Sequence, residues 1–110
     1  MSASKREKIL ASALELFTEH GFRGTSTAEI SKHAGVATGT LFHHFKSKEE
    51  LIEALYSDTK QGLSTHLATA CCGETSQQKL KQLWFAFAQW AINNENSYRF
   101  FKHCEASPYI

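Results

Sequence analysis

The chain has 110 residues, of which 42% are apolar and 21% charged, enough to bury one modest core or one small domain with part of a second. Six Gly and a single Pro exclude a collagen-like chain, and the apolar fraction excludes a disordered one. The formal net charge of +1 is uninformative, but residues 1–48 carry seven Lys or Arg against four Glu, whereas residues 49–110 carry five against seven acidic residues. A basic excess confined to one half is typical of a nucleic-acid-binding domain.

No apolar run is long enough to cross a membrane, and the N-terminus lacks the features of a secretory signal. The expected location is therefore the cytoplasm, without membrane contact. Three cysteines, Cys71, Cys72 and Cys104, have no metal-ligand spacing, and their odd number does not suit a disulfide scaffold. We interpret them as small buried hydrophobic residues.

The first predicted helix runs from Lys5 to His20, because its apolar residues recur at three- and four-residue steps. These residues are Ile9, Leu10, Ala13, Leu14, Leu16 and Phe17. Gly21 ends the helix, and Phe22 follows as an apolar residue expected to fold back onto the helix.

Two short helices follow. Ser26 and Glu29 have the spacing of a capping box, which predicts a helix over residues 27–34 that stops at Gly35 in a left-handed turn. A second short helix is predicted over residues 38–44. Its apolar side holds Leu41, Phe42 and Phe45, and its other faces hold Thr38, Gly39, Thr40, His43 and His44.

Ser47 and Glu50 repeat the capping spacing and predict a longer helix to about Cys72. Thr75 and Gln78 predict another, closed by Asn93 and Asn94, and a last helix is predicted over residues 98–104. The expected fold is all-α. A three-helix helix-turn-helix DNA-binding domain (residues 1–48) is followed by a long connecting helix and the first helices of a regulatory bundle (residues 49–110).

A short helix held across a second one projects far enough to enter the major groove of DNA. Residues 27–34 are then the support helix and residues 38–44 the recognition helix. Thr38, Gly39 and Thr40 lie at its N-terminal end, where small side chains let the backbone approach base edges. The helix has no Arg or Asn for a two-point base contact, so we expect DNA shape to supply part of the specificity.

Four motifs together resemble the TetR family of bacterial transcriptional regulators: His-Gly-Phe at 20–22, Gly-Thr-Ser-Thr at 24–27, Ala-Gly-Val at 34–36, and Gly-Thr-Leu-Phe-His-His-Phe-Lys-Ser-Lys-Glu-Glu-Leu at 39–51. The resemblance spans residues 5 to about 60. It implies that Thr38, Gly39 and Thr40 face bases and that four residues meet the sugar-phosphate backbone, namely Thr27, Phe42, His43 and Lys48. His44 completes the candidate set.

The chain departs from that family at three positions. Phe42 and His43 stand where Tyr is frequent, so one phenolic donor to phosphate is missing and the other is replaced by imidazole. Ala37 stands where a capping Ser is frequent, so the recognition helix is expected to be poorly capped.

Several of these residues have alternative interpretations. Thr27 could be a second capping hydroxyl, and Phe42 is better explained as core or rim than as a DNA contact. A metal site at His43 and His44 is disfavoured, because adjacent helical residues point about 100° apart and no third ligand is suitably spaced. Lys48 begins a helix, where a cation is unfavourable against the dipole, so we expect a phosphate partner.

The C-terminal half is rich in aromatic residues. By resemblance to the family's ligand-binding domain, Trp84, Phe87, Trp90 and Phe101 are candidates for an effector pocket, although helical spacing favours the core for most of them. The family's second domain normally has further helices, including the dimerising pair, so we expect this one to be incomplete. Phe85, Phe100 and Phe101 are then expected to be exposed.

The predicted function is a sequence-specific DNA-binding regulator, a repressor released from its operator by an unidentified small-molecule effector. By resemblance it is a homodimer when full length, on a palindromic double-stranded operator. No catalytic residue, metal or cofactor is predicted, because the sequence has no nucleophile with a base, no interpretable carboxylate pair and no phosphate-binding loop. The alternative is a helical protein-interaction or ligand-binding module without specific DNA binding, which would not need the basic excess in residues 1–48.

Overall fold

The computed structural model describes residues 4–70 and 73–105, and over these ranges it contains six helices and no strand. The all-α prediction is confirmed. The helices are α1 (Lys5–His20), α2 (Thr27–Ala34), α3 (Thr38–His44), α4 (Lys48–Ala70), α5 (Ser76–Asn93) and α6 (Glu95–Glu105).

Three helices, α2, α4 and α5, begin where capping side chains were predicted. The amide of Glu29 donates to Ser26 Oγ and that of Glu50 donates to Ser47 Oγ, both at 3.1 Å. Thr75 and Gln78 form a complete capping box. The last helix was predicted too short, since α6 begins at Glu95, directly after the residue that caps α5. An acidic residue in the first turn is favourable against the helix dipole, which suits this earlier start.

One hydrophobic core joins α1, α2, α3, the first two turns of α4, and α6. Phe22 folds back as predicted, and its ring packs edge-on against Phe17 with centroids 5.1 Å apart and against Phe100 at 5.9 Å. The expectation that Phe100 is exposed was wrong: its side chain is 0% exposed. The core therefore crosses the domain boundary predicted at residue 48.

The helix α5 contrasts with this core. Trp90 and Ala86 are buried, but α5 exposes four large apolar side chains, Leu80, Trp84, Phe85 and Ile92. The exposure predicted for Phe85 is confirmed, and Trp84, one of the candidates for the effector pocket, is 73% exposed. Within the described ranges, no helix is long and apolar enough to cross a membrane. Cys71, Cys72 and Pro108 lie outside those ranges.

Candidate nucleic-acid interface

The turn between α2 and α3 is held by backbone geometry. Gly35 has φ +74° and ψ 30°, the left-handed conformation that residues with a Cβ rarely adopt. Its amide donates to the carbonyl of Lys32 at 3.2 Å, and the next amide, of Val36, donates to the carbonyl of Ser31 at 3.0 Å. The chain thereby reverses within three residues and starts α3 at an angle to α2, as a helix-turn-helix requires.

One face of α3 is anchored and the other is open. Leu41 is fully buried within the helix, and Phe45, which ends it, is buried too. The open face carries Thr38, Gly39, Phe42, His43 and His44, and Thr40 is half-buried at its edge. Five of the six residues predicted on α3 are therefore exposed, and the sixth, Thr40, is half-buried.

Gly39 is the most open position of that surface. A Cβ built at Gly39 would have no heavy atom within 4 Å, so packing within the protein does not require glycine here. Glycine lowers helix stability by about 1 kcal/mol relative to alanine at an interior position. A helix that retains glycine without an internal reason has the shape needed for close approach of a partner's surface.

The start of α3 lacks a side-chain cap, as predicted from Ala37. Thr38, the first helical residue, instead has its hydroxyl 3.2 Å from that of Ser31 on α2. Ser31 is buried and was not predicted as part of the site. Ser31 directly follows the apolar Ile30 in α2, a helix that also has Glu29 and Lys32, so nothing in the sequence sets its polar side chain apart.

The aromatic and imidazole side chains of α3 lie on its outer side. Phe42 is 42% exposed, which places it at the rim of the fold, as the alternative to direct contact predicted. The rings of His43 and His44 meet edge-on with centroids 5.5 Å apart. Across the described residues no group of three or more His, Cys, Asp or Glu could hold a metal ion.

The two residues expected at phosphates outside α3 have different surroundings. Thr27 is half-buried as the first residue of α2, and the cap of that helix is Ser26. Lys48 donates from Nζ to the carbonyl oxygen of Phe22. From the sequence, Lys48 was expected to contact a phosphate, because a cation at the start of a helix is unfavourable against the helix dipole. In the structure the carbonyl of Phe22 already provides a partner for its charge.

His33 ties α2 to α1, and Arg6 of α1 contacts α4 and the end of α3. His33 on α2 lies with Nδ1 3.0 Å from the hydroxyl of Ser12 and Nε2 3.4 Å from the carboxylate of Glu15, both on α1. Arg6 pairs with Asp58 of α4 at 3.0 Å and lies over the ring of Phe45. These contacts attach α2 and the end of α3 to a common frame, so α3 projects from a fixed base.

Most of the basic residues in the first half remain available to an anion. Among the Lys and Arg of the described residues up to 48, Arg6 is the one that forms an ion pair. Arg23, Lys32 and Lys46 are exposed. Cations without internal counterions on the domain that carries α3 suit a polyanionic partner.

A cleft of about 520 Å³ lies between α4, α5 and α6. Phe87 and Phe101, two of the four predicted pocket residues, line it together with Tyr56, Lys60, Leu63, Tyr98, Lys102, Cys104 and Glu105. Trp90 is not in the lining, but its ring packs on both Phe87 and Phe101, with centroids 6.3 and 5.8 Å apart. Trp84 lies outside the cleft. The contribution of α4 was missed, because a helix pattern does not reveal which neighbour its exposed residues meet.

A short helix fixed across a support helix, with a small and open outward face, defines the helix-turn-helix class of DNA-binding proteins. Residues 9–55 match the family model of bacterial regulatory proteins of the tetR family. Over these residues the chain has the DNA-binding domain of the TetR family.

Similar proteins extend this assignment. YttP of Bacillus subtilis (strain 168), named as a probable HTH-type transcriptional regulator, is 37% identical over 103 residues, which cover 91% of this chain and 50% of YttP. The HTH-type transcriptional repressor KstR2 of Mycolicibacterium smegmatis is 39% identical over 56 residues, covering 51% of this chain and 27% of KstR2. The chain thus spans half the length of YttP and less of KstR2.

Solved structures share the whole described fold. A structure assigned to the tetR family of transcription regulators, from Shewanella sp. PV-4, has a TM-score of 0.93 and 44% identity, over 98% of this chain and 58% of that one. A TetR family transcription regulator from Marinobacter aquaeolei VT8 has a TM-score of 0.91 at 21% identity, over 96% of this chain and 56% of that one. The second likeness concerns the fold alone.

Proposed function

We propose that this chain is the DNA-binding part of a sequence-specific transcriptional regulator that acts as a repressor. The observation that carries the proposal is the outward face of α3, where Thr38 and Gly39 are exposed while Leu41 anchors the helix from behind. KstR2, which is similar over the helix-turn-helix, is named a repressor, and this supports repression as the outcome.

The proposed target is a double-stranded operator with two-fold symmetry. A helix-turn-helix dimer places its two recognition helices about one helical turn of DNA apart, so half-sites at that spacing are expected. The residues assigned to DNA are Thr27, Thr38, Gly39, Thr40, Phe42, His43, His44 and Lys48. The proposed assembly is a homodimer of the full-length protein, and its proposed location is the cytoplasm.

The proposed release mechanism uses the cleft between α4, α5 and α6 as the effector site. The helix α6 connects it to the DNA-binding core, since Phe101 lines the cleft while its neighbour Phe100 is buried beside Phe22. The carbonyl of Phe22 in turn accepts from Lys48. A ligand that shifts α6 would therefore move a residue proposed to meet the DNA backbone.

Selection of bound duplexes from a random pool tests this function. The expected result is a palindromic motif whose binding weakens steeply with salt, because phosphate contacts release counterions. A chain that binds selected and random duplexes equally, with the full-length protein as control, would refute specific recognition. That result would favour the alternative of an interaction module.

Two variants distinguish contacts to the phosphate backbone from contacts that recognise bases. Lys48→Ala is expected to weaken all duplexes by a similar factor and to lower the salt dependence. Thr40→Ala is expected to reduce the preference for the selected motif over its single-base variants. Lys48 also donates to the carbonyl of Phe22, so its substitution can affect the fold. The thermal melting curve of Lys48→Ala is therefore compared with that of the unmodified chain before the binding data are interpreted.

A further inference from the structure

Ser31 is a buried hydroxyl at the junction of the two short helices. Its side chain is 2% exposed, and its Oγ donates to the carbonyl of Ala28 on its own helix at 2.9 Å. The same oxygen lies 3.2 Å from Thr38 Oγ1. The backbone carbonyl of Ser31 also accepts from the amide of Val36, so this residue holds both the turn and the start of α3.

The proton count fixes the direction of the bond between the two hydroxyls. A serine hydroxyl has one proton and two lone pairs, and the proton of Ser31 is engaged by Ala28. Both hydrogen bonds form together only when Thr38 donates its own proton to Ser31 Oγ. The exposed Thr38 hydroxyl then presents lone pairs, and no proton, to a partner outside the protein.

An acceptor without a proton restricts what Thr38 can bind on DNA. Phosphate oxygens, guanine O6 and thymine O4 are acceptors, so they cannot pair with it. The exocyclic amino groups of adenine N6 and cytosine N4 are the major-groove donors that can. We propose that Ser31 is a positioning residue whose buried hydroxyl leaves Thr38 able only to accept a hydrogen bond from DNA. Thr38 then selects adenine or cytosine at one position of each half-site.

This arrangement also fixes the uncapped start of α3, although it satisfies none of the first amides of that helix. Ala37 has no side chain that could bond the first amides of α3, so the helix start is tied to α2 through Thr38. The inference rests on the proposed DNA-binding function, and it adds the identity of one recognised base and the residue that sets it.

The test compares base preferences of the chain and four variants by selection from random duplexes. Thr38→Val keeps the shape of the side chain and removes the hydroxyl. The position in the motif at which this variant loses its base preference is the position of the base that Thr38 contacts. In the unmodified chain this base is expected to be adenine or cytosine, and an analogue lacking the amino group is expected to bind about three- to tenfold more weakly. In Ser31→Ala the Thr38 hydroxyl no longer donates to Ser31 and is free to donate to DNA. We expect the preference for adenine or cytosine over guanine and thymine to fall by the same factor.

Ser12→Ala is the matched control. Ser12 is also a buried serine whose hydroxyl bonds to a neighbouring helix, but its partner is His33 and it makes no bond to α3. It is expected to leave the preference unchanged, and Ser31→Ala is expected to add nothing in the Thr38→Val background. If Ser31→Ala does not fold, Ser31→Cys replaces it, since sulfur is a weak acceptor of similar size.

Three results would overturn the inference. Selection of guanine or thymine at the base read by Thr38 is one, and an unchanged preference in Ser31→Ala is another. The third is an equal change in Ser31→Ala and Ser12→Ala, which would show a general loss of rigidity. In each case a selected motif remains, so the proposed function stands. If the unmodified chain selects no motif, the proposed function fails and the inference fails with it.

Discussion

Two regions of the molecule present open surfaces of opposite character. Residues 5–55 bury most of their large apolar side chains in one core, and α3 turns Thr38, Gly39 and two histidines outward together with one exposed phenylalanine, Phe42. The helix α5 buries Trp90 but exposes Trp84 and Phe85, which are 73% and 68% exposed. A polar surface is well solvated and can remain exposed in water. A large apolar surface has an unfavourable free energy while it is exposed to water. The difference separates the surface proposed to contact DNA from an apolar one that no described residue covers.

The two regions are not two consecutive segments of the chain. The helix α6 is far from α1 in sequence, but Phe100 and Cys104 belong to the core of the first region. The hydroxyl oxygen of Thr18 on α1 also lies 3.4 Å from the carbonyl oxygen of Asn96 in α6. The neighbouring Phe101 faces the cleft. The single helix α6 therefore contributes to the DNA-binding core and to the cleft.

The largest expected effect comes from the two regions' phenylalanines. Phe100→Ala is expected to lower the free energy of unfolding by about 3–5 kcal/mol, because it empties a fully buried site. Phe85→Ala removes the same atoms from an exposed position and is expected to stay within about 0.5 kcal/mol. Urea titrations followed by circular dichroism measure both. Equal losses for the two variants would remove the distinction between the regions.

Local sequence signals predicted the elements of the first region well. The capping hydroxyls of Ser26 and Ser47 mark helix starts there, as Thr75 does in the second region. The position of Gly35 predicted a left-handed turn, and the structure has φ +74° there. These features depend on residues within four positions of one another, so a single sequence is sufficient to predict them.

The errors and omissions concern contacts between distant residues. Burial of Phe100 depends on α6 packing along α1, and the partner of Lys48 is 26 positions away at Phe22. The bond between Ser31 and Thr38 depends on the angle between two helices. The periodicity of each helix predicts an apolar face but does not identify the helix that covers it.

Cys104 tests the burial of α6 by a second route. Burial raises the pKa of its thiol from 9.0 to about 11, because the low-dielectric core disfavours the thiolate. A folded-state pKa above the unfolded one means that the contribution is complete below pH 9 and is lost as the pH rises through about 11. We expect the free energy of unfolding to fall by about 1–3 kcal/mol across that window relative to Cys104→Val.

Comparison with Cys104→Val is needed because Lys and Tyr also titrate in this range. Denaturant unfolding at several pH values between 8 and about 11.5 gives the two curves. Parallel curves for the two proteins would mean that the thiol ionises as readily in the folded chain as in the unfolded one. The assignment of Cys104 to the core would then be contradicted.

A small stabilisation is expected at the two open helical glycines. Gly39 on α3 and Gly62 on α4 are both exposed, and a Cβ at either would have no heavy atom within 4 Å. Alanine is a better helix former, so Gly39→Ala and Gly62→Ala are each expected to raise the free energy of unfolding by about 0.5–1 kcal/mol. Thermal melting of the two variants and the unmodified chain gives these values.

The same pair distinguishes the DNA-facing surface from an ordinary solvated one. A methyl group at Gly39 separates α3 from the base edges, so Gly39→Ala is expected to weaken binding to the selected duplex about tenfold, although the protein is more stable. Gly62→Ala gives the same stabilisation on a helix assigned no DNA contact and is expected to leave affinity unchanged. Equal affinities for both variants would mean that the open space at Gly39 is not occupied by DNA. A loss in both would instead link affinity to helix rigidity, and the surface of α3 would lose its special role.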